Sequence, residues 1–307
     1  MIWVGWRQQR TEALIAAALL AALAALLVPT GLSMASAYDH GGLASCVSHA
    51  GAARCGPLVD AFVARFAKLG DLLAWVTLVP GIIGLLLAAP FVAALEQRTH
   101  RLDWTQSITR RRWMAGKLGL AVATALVAAV VLTLLITWWR APLVRFQGRM
   151  ENSIYDSEGT VVAAYVLFAL GLGLAVGAVW RRTVPALFVG FAGYFATRLF
   201  VDTWLRQRLV EPLTKTWSPN GRDPGLDRAW VLSEHPVDAH GHALSLISPC
   251  PPGANACPGK PGDVQFMQTV YHPASHFWPL QLRETALFAV MAIALIAFAV
   301  WWTLRRD

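Results

Sequence analysis

Glu96-Gln-Arg-Thr-His-Arg-Leu-Asp-Trp-Thr-Gln-Ser-Ile-Thr-Arg-Arg-Arg-Trp-Met-Ala-Gly-Lys117 is a polar, basic stretch clamped between two uncharged runs, 72–95 and 118–139. Each run exceeds the roughly 20 apolar residues that cross a bilayer core. A short basic segment held between two spans is confined to the cytoplasmic membrane face. It is too short to be a domain and too patterned to be a plain loop, so a soluble partner on that side is expected to read it.

Outward from it, the 307 residues are 56% apolar and 14% charged, whereas an average soluble chain is about 25% charged. Six stretches are expected to span: 13–31, 72–95, 118–139, 160–180, 183–203 and 285–304. Short alternating strands, the mark of a membrane barrel, do not organise the chain. The expected fold is an all-α polytopic membrane protein, a single six-helix domain over 1–307.

The net charge of +8 is placed by topology and not by nucleic acid. With the N-terminus in the cytosol, segments 1–11, 96–117, 181–182 and 305–307 hold 12 Lys/Arg in 38 residues, while loops 32–71 and 140–159 hold 6 in 60. The positive-inside rule then puts both termini in the cytoplasm. Cys46, Cys55, Cys250 and Cys257 all fall outside, where disulfides persist. Two close pairs, Cys46–Cys55 and Cys250–Cys257, are the simplest connectivity; a four-thiolate metal site lacks zinc-knuckle spacing. Arg7, Arg10, the first apolar run and Ala35-Ser-Ala37 offer a signal-peptide alternative, but the run exceeds the usual h-region of about 7–15 residues.

Residues 1–11 put Trp3 and Trp6 beside Arg7 and Arg10, a pattern suited to an interfacial helix. The 32–71 stretch reads as a loop with turn-forming Gly and Pro. The long 204–284 segment reads as a loop-rich extracytoplasmic cap, stapled by one disulfide.

The 96–117 segment resembles the coupling helix of type-2 class ABC exporter permeases, and more narrowly of six-span actinobacterial members. Their pattern, Glu-x-Gly-Thr-His-Arg-Leu-x-Trp-Thr-Gln-Ser-x-Thr-Arg-x-Arg-Trp and then Lys-Leu, is matched from Glu96 to Leu118 except at Arg98. Trp3, Trp6-Arg7-Gln8, Pro273-Ala-Ser and Phe277-Trp-Pro extend the likeness to both ends. The resemblance implies a bacterial plasma-membrane permease subunit, paired with a second or sister copy and with a cytosolic ABC ATPase. ATP and Mg would bind on that ATPase, with no cofactor in this chain. Gly253 to Pro261 is a false phosphate loop, with five residues between its glycines and Pro after Lys260. Leu95, Glu96, Thr99, His100 and Leu102 are the expected coupling residues, close to helical spacing. Arg110, Arg111, Arg112 and Lys117 are expected to hold lipid phosphates.

Arg198 and Asp202 read as a paired, snorkelling anchor at the outer interface, or else a substrate or relay site; Glu284 reads the same way. His240, His242, His272, His276 and Asp238 could ligate zinc, but without a third clear ligand no metal site is assigned. Gly173, Gly177, Gly190 and Gly193 permit close helix contact or a dimer seam. Few fixed charges in the spans point to an amphipathic or lipophilic cargo. The alternatives are a motor-independent sensor or immunity protein, and a metal-dependent enzyme using the external histidines.

Overall fold

The computed structural model describes residues 2–50, 55–97, 109–150, 155–218, 226, 228–238, 243 and 266–306. Thr99, His100, Leu102, Cys250, Cys257, His240 and His242 lie outside these residues, as does the Arg110 side chain. Among the described residues, six helices are long and apolar enough to cross a membrane: Ala13–His40, Trp75–Glu96, Arg111–Val144, Val161–Trp180, Thr183–Leu209 and Ala274–Arg306. The helical elements are α1 (Ile2–His40), α2 (Leu43–Ala50), α3 (Gly56–Ala74), α4 (Val79–Glu96), α5 (Arg110–Gln147), α6 (Val161–Trp180) and α7 (Thr183–Phe200). A π turn (Val201–Leu205) joins α7 to the short α8 (Arg206–Leu209). Three strands follow, β1 (Leu213–Trp217), β2 (Trp230–Val237) and β3 (Phe266–His272), and α9 (Phe277–Arg306) closes the chain.

Helix α6 is the centre of the bundle. It carries no charge, and a helix apolar on every side is stable only when neighbours cover it. Here α4, α5, α7 and α9 do so. Without a hydrophobic drive between helices in lipid, close packing of small residues holds such a bundle together. Gly177 sits against Val92, Gly173 against Ala88, and Gly190 against Leu85. The small-residue spacing offered above as a dimer seam is therefore used inside the chain, while Gly193 touches little. On the outward sides of α5, α7 and α9, Val127, Leu134, Val184, Phe188, Val290 and Ile293 are each more than 60% exposed. Acyl chains are the natural cover for a surface of this kind.

Three details differ from the sequence reading. First, 2–11 is the start of one unbroken helix, because nothing in Thr11-Glu12 breaks it; Pro29 also sits inside α1. Second, much of 32–71 is helical. Val59, Phe62, Val63 and Phe66 recur at i, i+3, i+4 and i+7, and their buried side packs near Tyr38 of α1, with the Phe62 and Phe66 rings 5.1 Å apart. The expected Cys46–Cys55 disulfide links α2 to the start of α3, with Cα atoms 6.1 Å apart.

Third, the 204–284 segment is framed by an antiparallel sheet of order β1-β3-β2. The central β3 is rich in strand-forming residues (Phe-Met-Gln-Thr-Val-Tyr-His). Pro236 breaks the apolar pattern of β2, but β2 is an edge strand, where a missing N–H is tolerated.

Candidate functional site

At the sheet end of the bundle, three separate segments converge on one buried ion-pair network. The connector between α5 and α6 supplies Asp156, the α7–α8 helix supplies Arg198 and Arg206, and α9 supplies Glu284. All four are buried, and their charges balance two against two. Arg206 grips Glu284 with two arms, Nε to Oε2 at 2.9 Å and Nη2 to Oε1 at 3.1 Å, and also bonds Asp156. Such a fork matches the plane of a carboxylate. Arg198 reaches Asp156 at 2.9 Å and Glu284 at 3.4 Å. The Tyr165 hydroxyl donates to Glu284 Oε1 at 2.6 Å, and the Arg198 guanidinium lies 3.8 Å from the centre of the Tyr165 ring. Asp202 pairs with Arg206 from the partly exposed rim.

The snorkelling anchor expected from Arg198, Asp202 and Glu284 is thus corrected. Arg198 and Glu284 do not reach outward, and Arg198 is bonded to Asp156 and Glu284, leaving Asp202 to Arg206. Helix geometry explains why. At about 100° per residue, eight positions would leave Arg206 roughly 80° round from Arg198. The π turn between them accommodates one extra residue and brings the offset back to roughly 20°. Asp156 and Arg206 were missed because each lies just beyond an apolar run. Only their sign and their nearness to the same membrane face hinted at pairing.

The connector is itself held in place by the buried Gln281. Its amide donates to the Tyr155 and Glu158 carbonyl oxygens at 3.1 and 3.2 Å and accepts from the Val161 N–H. Gly159, at φ +74°, fits beneath it; a Cβ there would lie 2.7 Å from Gln281 Oε1. Burial pushes the Glu158 carboxyl up, opposed by Arg149 and Arg140.

The sheet is tied to this end by His272. Its Nε2–H donates to the Gln207 carbonyl oxygen at 3.3 Å, so its Nδ1 accepts from His276 Nδ1 at 3.1 Å. Trp230 packs on the ring. Asp238 does not join the pair, and no group of three or more metal-ligating side chains occurs among the described residues. Burial is the main cause that lowers the His272 pKa, with His276 adding to it. The neutral ring is therefore the favoured form in the folded state. Its contribution is full above the ordinary value of about 6.5 and is lost as pH falls through the lowered one. Amide hydrogen exchange in β3, corrected for intrinsic rates, should be faster at pH 5.5 than at 7.5. Equal protection at both would refute the assignment.

At the opposite end, Leu95 is buried and Glu96 accepts two hydrogen bonds from Thr183, from the backbone N–H at 2.8 Å and the hydroxyl at 2.6 Å. Glu96 thereby caps α7, a favourable place for a carboxylate. Arg111 and Arg112 are exposed, and the Lys117 ammonium lies 4.7 Å from the Trp113 ring centre. Arg305 and Arg306 sit likewise over Trp301 and Trp302.

A family model described as ABC-2 membrane transporter related matches residues 17–206, well over half of the chain. The chain belongs to the ABC-2 membrane transporter related family. The match reaches five of the six spans, three of them whole, and ends on Arg206, so it takes in the π turn and every network residue except Glu284. Comparison with curated proteins and with solved structures found no match. As an ABC-2 permease the chain is a multi-pass membrane transport subunit, and membership implies an ABC ATPase as its partner.

Proposed function

We propose that this chain is the permease subunit of an ATP-driven exporter in the bacterial plasma membrane, with both termini cytoplasmic. The family match carries the reading. Segment 96–117 is the coupling element: Thr99, His100 and Leu102 contact the ATPase, while Leu95 and Glu96 root the segment in the bundle. Arg110, Arg111, Arg112 and Lys117 hold lipid phosphates, and a second or sister permease completes the cargo path. ATP and Mg act on the ATPase, whose closure biases the permease between two states by differential binding. The cargo is amphipathic or lipophilic, since the bundle's charges are spent on one another.

Gentle detergent purification of the tagged chain from its native membrane tests this. Mass spectrometry should find a stoichiometric subunit with a Walker A loop, depleted at least about tenfold by His100→Ala with Leu102→Arg. Purification of the wild-type chain without such a subunit would overturn the reading.

A further inference from the structure

Helix α7 is fastened in an unusual way. Between its ends only Ala186, Gly190, Tyr194 and Arg198 are buried, a stripe one residue wide at every fourth position. The flanks face outward, with Val184, Phe188, Phe195 and Leu199 exposed. Its ends are pinned by polar groups: Glu96 holds the Thr183 end, and the Asp156–Glu284 carboxylates hold Arg198 and Arg206. The turn entering α7 is only Arg181-Arg182, with Arg181 left-handed at φ +53° and its N–H on the Gly177 carbonyl oxygen. Thr183 and Arg198 are separated by roughly 22 Å of continuous helix at 1.5 Å per residue. A helix resists axial compression, so a displacement applied at Thr183 arrives at Arg198.

We propose that the Glu96–Thr183 contact is a transmission link, through which movement of segment 96–117 displaces α7 and loosens or reseats the ion-pair network. Glu96 is then a positioning residue and not a contact to the ATPase. The link rests on the permease reading, because it needs a motor to move the segment. Rigid elements with two discrete arrangements are the physical means by which distant sites couple.

The test is amide hydrogen exchange over 198–209 in the purified permease–ATPase complex, with and without a non-hydrolysable ATP analogue. The wild-type complex should show a nucleotide-dependent change there. Glu96→Ala should shrink it at least about fivefold while the ATPase stays bound. Thr183→Ala, which keeps the backbone donor, should shrink it about twofold. Glu96→Gln, which keeps an acceptor oxygen, should retain most of it and controls for misfolding. An undiminished response in Glu96→Ala overturns the link. So does loss of the ATPase from Glu96→Ala, which would make Glu96 a motor contact. Absence of ATPase from the wild-type chain would instead remove the permease reading, and the link with it.

Discussion

Glu284→Ala should cost about 3–5 kcal/mol of stability, because it leaves two buried guanidinium groups with one shared carboxylate, Asp156, in place of two. Glu284 is fully buried and accepts from Arg206, Arg198 and Tyr165 together. Its loss leaves two buried cations against Asp156 alone, with Asp202 only at the rim. Asp202→Ala is the control: Asp202 bonds the same Arg206 from the partly exposed rim, and pairs of that kind contribute about 1 kcal/mol or less. Thermal unfolding of both variants in detergent, alongside their abundance in the membrane, compares them directly. Equal losses would show that the network is not a buried charge cluster in the membrane-embedded protein.

The second large effect belongs to the centre of the bundle. Gly84→Ala should destabilise by about 1–3 kcal/mol, the usual range for forcing an extra carbon into a packed interface. A Cβ at Gly84 would run into the Val166 carbonyl oxygen and stand 2.7 Å from Ala169 Cβ. The obstacle is largely backbone, which cannot rotate away. Gly116→Ala on α5 meets nothing within 4 Å and should be neutral or gain up to about 1 kcal/mol from reduced backbone entropy. Apparent melting temperatures measured in one detergent decide it. Matching values for the two variants would mean that α4 and α6 are not in contact.

The bundle was legible in the sequence because spanning a membrane demands long uncharged runs, and six such runs stand out against a low charge content. Cys46–Cys55 was legible from proximity alone. The helix over 56–74 was readable too, since its Val and Phe residues hold helical spacing, but Gly and Pro also signal turns, and here Gly56 and Pro57 mark a helix start. The sheet was hidden by Pro236 and by composition, because strand formation there depends on which segments meet. The same holds for the network. Arg198 and Glu284 were conspicuous as charges in apolar runs, yet Asp156 lies 42 residues before Arg198 and Arg206 lies 78 residues before Glu284. Separation in sequence carries no sign of such meetings. The Glu96 cap was equally unreadable, since it joins α4 to α7 across 87 positions.

The π turn at Val201–Leu205 also has an evolutionary side. A helix acquires such a turn by gaining one residue without losing its axis. The turn absorbs one residue between Arg198 and Arg206, so a chain one residue shorter there would run as plain α-helix, its positions at about 100° each, and keep the second arginine on the same side. A helix of the same length without the turn would instead carry Arg206 about 80° round, away from Asp156 and Glu284. Length can thus change at these five residues without changing which charges the rest of the chain must carry.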